Sequence, residues 1–400
     1  MTLSSKEVCT MKWVSIFKYL RTEYGEKIAK IEDTTQRVSF VNNINGNKVR
    51  VRFSNKFEDN SMTIEKAVIG KEAGDTAVLT LNGKSQIVLE PNAEIFSDAV
   101  DFEVKAGDKL FVDLYLKEKA ELSSFCCYWS KGGTEVSFIP GDGTNAGYVI
   151  TADFINEDPN SKIMSSFMGF DSVQVFADDE TKVVAAFGDS ITHMSFYTDA
   201  LYKRICKECP GAVALINAGI GGNRLVDDAT FVPEIGKRLV LFGEAGVKRF
   251  EKDVFENDEV DAVCALIGIN DIMHPLQLEG KTETTSSEAI IEGYKKIIAC
   301  AHNNGAEIYM GTIMPSWNEQ YPAEWLPKFE KTRNEVNAWI RKCEMHDGVI
   351  DFDKALRDEK DNTLFQEGCH IGDGLHPNTE GGVKMADTVD LKTIICPRER

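Results

Sequence analysis

A serine follows a buried-strand pattern in the second half of the chain. The apolar run 183–187 leads into Gly-Asp-Ser at 188–190, and a helix-like pattern follows Ser190. In a parallel α/β sheet, ligands bind at the carboxyl ends of the strands. A serine on such a turn presents its hydroxyl at the sheet edge, and its N–H lies at a helix N-terminus, where it can stabilise a developing anion. The triplet alone equally suits a serine that only caps the helix.

Two further apolar runs end in groups that can donate hydrogen bonds to an oxyanion. Gly221 and Gly222 follow the second run, and glycine lets a backbone approach a ligand closely. The dinucleotide-binding pattern G-x-G-x-x-G fails here, because Arg224 takes the place of the third glycine. Asn270 follows the third run, and its side-chain amide is a further donor. A tight turn and a loop cap are the plain alternatives for these two segments.

A late histidine can supply the base. The segment 372–377, Gly-Asp-Gly-Leu-His-Pro, places Asp373 three residues before His376. At that spacing a carboxylate can orient the imidazole. His274 and His370 also follow an acidic residue by three positions, so spacing alone does not choose the base. We favour His376 because its glycine-rich loop is bounded by proline and follows the last predicted strand.

Taken together, these segments supply a nucleophile, three oxyanion donors, a general base and a group that orients the base. Those are the components of acyl transfer. The G-x-S-x-G elbow of α/β-hydrolases does not occur in the sequence, which disfavours that fold. All 6 histidines lie after residue 192, so histidine chemistry belongs to the second half of the chain.

The elements that would position these residues follow from the hydrophobic pattern after residue 182. Short apolar runs alternate with helix-like stretches such as 287–301 and 329–343. This alternation predicts a parallel sheet with helices on both faces. The five predicted strands are 183–187, 213–216, 262–267, 308–310 and 349–350.

The first half of the chain has a different pattern, which predicts β structure over residues 36–150. Segment 48–53 alternates polar and apolar residues, as a half-buried strand does, and 110–116 is a further strand. Asn-Gly at 45–46 and at 82–83 are hairpin signals. They predict that 38–41 pairs with 48–53, and that 77–81 pairs with 87–89. Short strands at this spacing indicate an antiparallel sandwich or jelly roll.

The change of pattern predicts two domains. Residues 1–34 look helical, and we interpret them as a docking helix that precedes the β-sandwich. The predicted boundary falls in the acidic stretch 177–180. We therefore divide the chain into an N-terminal helix plus β-sandwich over residues 1–180 and a catalytic domain over residues 181–400.

Composition and charge exclude several classes of protein. The 400 residues include 45 Lys+Arg and 64 Asp+Glu, a net charge of -19. A nucleic-acid binder needs a basic face, and an acidic protein is repelled by an anionic membrane.

No apolar stretch is long enough for a transmembrane helix, and no signal-peptide pattern opens the sequence. We read the 10 cysteines as reduced thiols of a cytoplasmic protein, and Cys206-x-x-Cys209 as chance spacing without a metal.

The four segments resemble the Ser, Gly, Asn and His blocks that define the SGNH (GDSL-type) serine hydrolases. The resemblance covers about residues 182–396 and implies a flavodoxin-like α/β/α sandwich with a five-stranded parallel sheet. It implies Ser190 as nucleophile, His376 as general base and Asp373 as the group that orients His376. The N–H groups of Ser190 and Gly222 and the Asn270 side chain would form the oxyanion hole. The family's mechanism implies no metal and no cofactor.

The first half also resembles a known domain. Segments 49–55, 97–100 and 140–142 are similar to a β-sandwich that precedes the hydrolase domain in a bacterial lysophospholipase-L1-like group. Many relatives in that group act on acetylated plant polysaccharides or simple acyl esters. The run 192–196 departs from the small or acidic residues usual after the serine. We therefore expect His193 and Met194 to reshape the acyl pocket.

These observations predict an esterase that acts through an acyl-enzyme and most readily removes acetyl from O-acetylated saccharides or other short-chain acyl esters. Aromatic residues of the loop 317–325 either stack on a sugar or cap the core. We place Asp189, Asn223, His193 and Trp317 among the residues that bind substrate. The alternatives are a lysophospholipase or lipid acyl esterase, and a catalytically inert carbohydrate-binding protein. The oligomeric state stays open.

Overall fold

The first half of the chain folds as antiparallel strands. The computed structural model describes residues 10–71, 74–130, 132–144 and 165–395. The strands of this half are β1 (Met11–Lys18), β2 (Thr22–Glu23), β3 (Ala29–Ile31), β4 (Thr34–Val41), β5 (Gly46–Ser54), β6 (Met62–Ile64), β7 (Lys66–Lys71), β8 (Thr76–Leu79), β9 (Ile87–Leu89), β10 (Glu94–Phe96), β11 (Val100–Val104), β12 (Lys109–Leu116), β13 (Ala120–Leu122), β14 (Ser124–Tyr128), β15 (Thr134–Pro140), β16 (Ser165–Phe167) and β17 (Gly169–Asp178).

Most of these strands belong to two five-stranded sheets. One has the order β1-β17-β5-β10, with β11 also paired to β5, and the other has the order β15-β4-β12-β7-β8. All pairings in both sheets are antiparallel. The ring of Phe17 on β1 stacks on that of Phe40 on β4, with 4.6 Å between the centroids, so the sheets share a core. The predicted strand at 110–116 is confirmed as β12.

The predicted helix over residues 1–34 is wrong for the described part, residues 10–34, which holds β1, β2 and β3. Residues 1–9 lie outside the described residues. The second half of β1 is buried without alternation, because one face packs into the core and the other meets the C-terminal half. Ser15 and Lys18, for example, both contact Asp258. A strand that is buried on both faces lacks the period-2 pattern that identifies it.

Both predicted hairpins are also wrong. The strands β4 and β5 flank Asn45 but lie in different sheets, because the link between them binds the C-terminal half. Asn43 donates from Nδ2 to the Val213 carbonyl at 2.9 Å and accepts from the Gly211 N–H at 3.0 Å. Asn82-Gly83 does form a tight turn, but the flanking strands pair elsewhere, β8 with β7 and β9 with β6.

The second half is an α/β fold. Its strands are β18 (Lys182–Gly188), β19 (Val213–Gly219), β20 (Phe231–Val232), β21 (Lys237–Arg238), β22 (Ala262–Leu266), β23 (Glu307–Gly311) and β24 (Gly348–Ile350). Its helices are α1 (Ser190–His193), α2 (Phe196–Glu208), α3 (Gly246–Phe255), α4 (Ile269–Gln277), α5 (Ser287–Asn303), α6 (Leu326–Lys342), α7 (Phe352–Leu356), α8 (Thr379–Asp387) and α9 (Leu391–Ile395).

The five predicted parallel strands are confirmed and form one sheet in the order β19-β18-β22-β23-β24. Helix α2 packs against α8, while α3 and α6 both pack against α5. In the register of the sheet, Gly188 lies beside Gly219 on one side and beside Leu266 on the other. The loops that follow β18, β19 and β22 therefore begin side by side at one edge of the sheet.

The two halves pack closely on each other. Their buried apolar residues form one continuous cluster that runs from Val14 to Ile394. A buried ion pair crosses the contact, with Lys18 Nζ on β1 3.1 Å from Asp258 Oδ2. The change from antiparallel to parallel pairing falls between Asp178 and Lys182, and the division into domains at residue 180 stays a prediction.

The helices of the second half are short. The longest, α5 and α6, have 17 residues each. Across the described ranges, no helix combines the length and the apolar character that crossing a bilayer requires.

Candidate active site

Ser190, His376 and Asp373 meet at the carboxyl edge of the parallel sheet. Ser190 begins α1 directly after β18, and its Oγ lies 2.7 Å from His376 Nε2. His376 Nδ1 lies 2.6 Å from Asp373 Oδ2. A neutral imidazole that donates from Nδ1 to a carboxylate keeps Nε2 as an acceptor. The hydroxyl of Ser190 can therefore donate its proton to His376.

The loop that carries Asp373 is held by its own backbone. Asp373 Oδ1 accepts from the N–H groups of Leu375 and His376, each at 3.0 Å. His370 Nδ1 accepts from the N–H groups on either side of Asp373, from residue 372 at 3.0 Å and from residue 374 at 3.1 Å. These bonds determine where the carboxylate lies before any substrate arrives.

The carboxylate is kept in its charged form. Burial opposes ionisation of Asp373, but hydrogen bonds from the ring and backbone of His376 outweigh burial and lower the pKa to about 2. Asp373 is therefore ionised across the ordinary pH range. An ionised carboxylate on Nδ1 also stabilises the imidazolium that forms when Nε2 takes up a proton.

The predicted oxyanion donors surround the same edge. Gly222 has a φ of +68°, and a Cβ there would lie 2.1 Å from the Phe242 ring, so both its conformation and its surroundings require glycine. Asn270 lies in the first turn of α4 and is buried, and its Nδ2 donates to the Asn223 carbonyl at 3.0 Å. The amide has a second hydrogen. In the described part of the chain, the N–H groups of Ser190 and Gly222 have no acceptor.

Asn223, which the sequence placed among the substrate-binding residues, has a fully buried side chain whose polar atoms are already hydrogen-bonded. Its Nδ2 donates to the carbonyls of Phe242 and Glu244, each at 2.7 Å. Its Oδ1 accepts from Arg249 Nε at 2.9 Å. The same guanidinium donates to the carbonyl of Gly188 at 2.7 Å. Asn223 and Arg249 therefore tie the loop after β19 to the end of β18.

Asp189 and His193, also predicted to bind substrate, are likewise buried, with only 1% and 2% of their surface exposed. Asp189 caps α1, with Oδ1 accepting from the Ile191 N–H at 3.0 Å. Its Oδ2 is buried and has no partner among the described residues. Burial raises the pKa of Asp189 to about 7. His193 accepts from the Gly221 N–H instead of facing a ligand.

Trp317 is half-buried in the loop between β23 and α6, close to Asp373. The next residue, Asn318, donates from Nδ2 to the Asp373 carbonyl at 3.2 Å. The Trp317 ring meets Tyr321 edge to face, with 5.8 Å between the centroids. The structure therefore brings this aromatic loop to the catalytic edge, while part of it packs on the core.

Three side chains that shape this site were missed by the sequence reasoning in these roles: His193, Arg249 and His370. Each donates to or accepts from the backbone of a loop that carries a predicted site residue. A run of 370–376 with two histidines and two glycines was a usable signal for His370. Arg249 lies on α3 with no motif around it, so only the packed fold reveals its contacts.

Within the ranges that the structure describes, no group of three or more His, Cys, Asp or Glu side chains is arranged to hold a metal ion. Cys206 and Cys209 are both free thiols.

Comparison with known families identifies the second half. Residues 186–382 match the sequence model of the GDSL-like Lipase/Acylhydrolase family. The matched range contains Ser190, Gly222, Asn270, Asp373 and His376. This part of the chain is a GDSL-like lipase/acylhydrolase domain, and the protein is an ester hydrolase.

Solved structures of low sequence identity align with about half of the chain. A GDSL-like lipase from Bacteroides thetaiotaomicron is 18% identical, with 54% of this chain and 87% of that chain covered and a TM-score of 0.37. An acetyl xylan esterase is 19% identical, with 52% and 96% covered and a TM-score of 0.37. A catalytic mutant of an acetylxylan esterase from Geobacillus stearothermophilus is 16% identical, with 52% and 91% covered and a TM-score of 0.39. No curated protein is significantly similar to the chain.

The buried carboxyl of Asp189 predicts a pH dependence of stability. A raised pKa in the folded state means that its stabilising contribution is complete below the unfolded value of 3.8 and is lost as pH rises to about 7. Asp189→Asn resembles the neutral acid and keeps the cap. We expect the free energy of unfolding of the variant, relative to that of the wild type, to rise by about 1.4 kcal/mol per pH unit between those two values. Urea unfolding at pH 5 and pH 8 measures this difference. A difference in the free energy of unfolding that is equal at both pH values would contradict the prediction.

Proposed function

We propose that the chain is a serine carboxylic-ester hydrolase that works through an acyl-enzyme, with Ser190 as nucleophile, His376 as general base and Asp373 as the group that orients His376. The observation that carries the proposal is the aligned hydrogen-bond chain from Ser190 Oγ to His376 Nε2 and from His376 Nδ1 to Asp373. Such a chain activates a hydroxyl that is a weak nucleophile on its own. The same chain argues against the inert carbohydrate-binding alternative.

In the acylation step, Ser190 Oγ attacks the ester carbonyl carbon while His376 Nε2 takes the hydroxyl proton. The carbonyl oxygen becomes an oxyanion and accepts hydrogen bonds from the N–H groups of Ser190 and Gly222 and from Asn270 Nδ2. Each such donor is worth about 3–4 kcal/mol of transition-state stabilisation in comparable sites. The imidazolium then gives its proton to the alkoxy oxygen, and the alcohol leaves.

Deacylation repeats these steps with water. His376 takes a proton from water as the water oxygen attacks the acyl carbon of the ester on Ser190. The second oxyanion occupies the same donors. The imidazolium returns its proton to Ser190 Oγ as the acyl–oxygen bond breaks, which releases the carboxylic acid and restores the enzyme.

For the substrate, we propose a short acyl ester on a saccharide, with acetyl favoured. The half-buried ring of Trp317 lies in the loop that also donates to the Asp373 carbonyl. A partly exposed aromatic ring in the loop that contacts Asp373 suits the apolar face of a sugar. The high acidic charge of the chain fits a neutral ligand better than an anionic one.

A lipid acyl ester is a second candidate, and one surface feature favours it. The hairpin β20–β21 exposes Phe231 by 43% and Ile235 by 57%. Its base is joined to the helix that carries Asn270, since Thr230 Oγ1 lies 2.8 Å from His274 Nδ1. An exposed apolar hairpin joined to α4 offers an acyl chain an apolar surface.

Two more specific assignments, of the antiparallel sheets and of the cellular location, are part of the proposal. We propose that the two antiparallel sheets are the β-sandwich that precedes the hydrolase domain in the lysophospholipase-L1-like group. The shared Phe17–Phe40 stacking between the sheets supports this arrangement. The cytoplasmic location stays a prediction.

Replacing the nucleophile tests the mechanism. Ser190→Ala removes the only atom that we assign to attack, so p-nitrophenyl acetate turnover should fall by about 10³-fold or more, leaving only the contribution of the oxyanion donors. Unfolding in urea should stay near that of the wild type, because the side chain is small and partly exposed. Ser137→Ala, at a partly exposed serine on β15 of the N-terminal half, is the control. Retained turnover in Ser190→Ala would refute the assignment.

A series of p-nitrophenyl esters from acetyl to octanoyl decides between the two substrate classes. We expect kcat/KM to fall as the chain lengthens, and acetylated oligosaccharides to be deacetylated. The double variant Phe231→Ser, Ile235→Ser serves as the discriminating control and should not change the acetyl rate. A preference for octanoyl that this double variant abolishes would overturn the saccharide proposal in favour of a lipid ester.

A further inference from the structure

His193 occupies a position between the two halves of the molecule, at the end of the helix that Ser190 begins. It is 2% exposed, so its imidazole has no access to solvent or ligand. From the N-terminal half, Trp129 meets the ring edge to face, with 5.6 Å between the centroids. Cys127 Sγ on β14 lies 3.4 Å from His193 Nε2. A histidine this deeply buried needs a hydrogen-bond partner for each of its two ring nitrogens.

The hydrogen bonds of the ring determine its tautomer. The Gly221 N–H donates to His193 Nδ1 at 2.9 Å, so Nδ1 carries no proton and Nε2 does. The Nε2 proton faces Cys127, whose backbone also hydrogen-bonds to the ring. The imidazole therefore joins the N-terminal strands on one side to the loop after β19 on the other.

The N-terminal half also forms hydrogen bonds with the turn that follows His193. The N–H groups of Trp129 and Ser130 donate to the Met194 carbonyl at 3.2 and 3.0 Å. Ser195 Oγ donates to the Tyr19 hydroxyl at 3.2 Å. The turn after the proposed nucleophile thus rests on residues from β14 onward and from the segment after β1.

The loop that His193 holds is the one that presents the Gly222 N–H. The Gly221 N–H belongs to the peptide between residues 220 and 221, and the Gly222 N–H belongs to the next peptide. The bond to His193 Nδ1 therefore fixes the backbone at Gly221, from which the peptide with the Gly222 N–H extends. A Cβ at Gly221 would lie 3.2 Å from His193 Nδ1, and one at Gly219 would lie 2.4 Å from the His193 backbone N. An oxyanion donor is effective only when it is held in place before the reaction.

We propose that His193 is a positioning residue. Its Nδ1 holds the Gly221 N–H, and thereby the next peptide with the Gly222 N–H, in place for the oxyanion, and its other edge anchors that loop to the N-terminal strands. The N-terminal half then helps to position the oxyanion donors of the esterase site and is not only a neighbouring domain. This inference rests on the proposed function of Ser190 and Gly222.

Two substitutions distinguish the loss of the hydrogen-bond acceptor at Nδ1 from the loss of the imidazole ring itself. His193→Asn can place Oδ1 near the position of Nδ1 and keep the acceptor for the Gly221 N–H. His193→Gln places its polar atoms nearer the position of Nε2 and loses that acceptor. His302→Gln is a matched control, because His302 lies on α5 and pairs with Asp347 at 2.8 Å, away from the site.

The readouts are kcat and KM for p-nitrophenyl acetate and the inhibition constant of a boronic acid that forms a tetrahedral adduct. We expect His193→Gln to lower kcat by about 10- to 100-fold, because a displacement of about 1 Å costs that much. KM should stay within about twofold, and boronic acid binding should weaken in parallel with kcat, as for a group that acts in the transition state. His193→Asn should recover most of kcat, and His302→Gln should match the wild type.

A folded His193→Gln enzyme with wild-type kcat, or an equal loss in the Asn and Gln variants, would overturn the inference. If His193→Gln does not fold, Gly221→Ala tests the same bond from the loop side, since its methyl presses on Nδ1. It should lower kcat at constant KM, and an unchanged kcat would refute the inference. Failure of the proposed function is distinguishable, because then Ser190→Ala would retain turnover whatever the His193 variants do.

Discussion

The hydrogen bond between Ser190 Oγ and His376 Nε2 joins two residues that are 186 positions apart in the chain. It forms only if the turn after β18 and the loop before α8 are both held to within a few tenths of an ångström. Much of the surrounding structure meets that constraint. Asp189 caps the helix that Ser190 begins, and His370 holds the loop of Asp373.

The oxyanion donors depend on the same kind of support. Arg249 donates to the carbonyls of Gly188 and Ala218, at 2.7 and 3.0 Å, and to the side chain of Asn223. It thereby fastens the ends of two neighbouring strands to the loop of Gly222. A buried guanidinium needs several acceptors to offset its desolvation, and the strand ends supply them. The position of Gly222 is therefore coupled to that of Ser190 through one side chain.

The sequence predicted the parallel sheet and its site because those signals are local. Each predicted strand of the sheet is an apolar run with a site residue or turn at its end, and parallel strands bring their carboxyl ends together. The wrong predictions concern contacts between distant segments. Strand β1 is covered on both faces, so it lacks alternation, and the Asn45 link serves the contact with Gly211 instead of a hairpin. The burial of Asn223 likewise depends on its contacts with Phe242, Glu244 and Arg249, and that of His193 on its packing against Trp129, which no spacing reveals.

Covalent labelling of the serine tests the central claim most directly. A fluorophosphonate reacts with a serine hydroxyl only when a base removes its proton and an oxyanion site stabilises the adduct. Intact-mass measurement of the labelled protein, followed by peptide mapping, should show one adduct per chain on Ser190, and His376→Ala should abolish it. Labelling at a different residue, or equal labelling of the His376→Ala variant, would contradict the account.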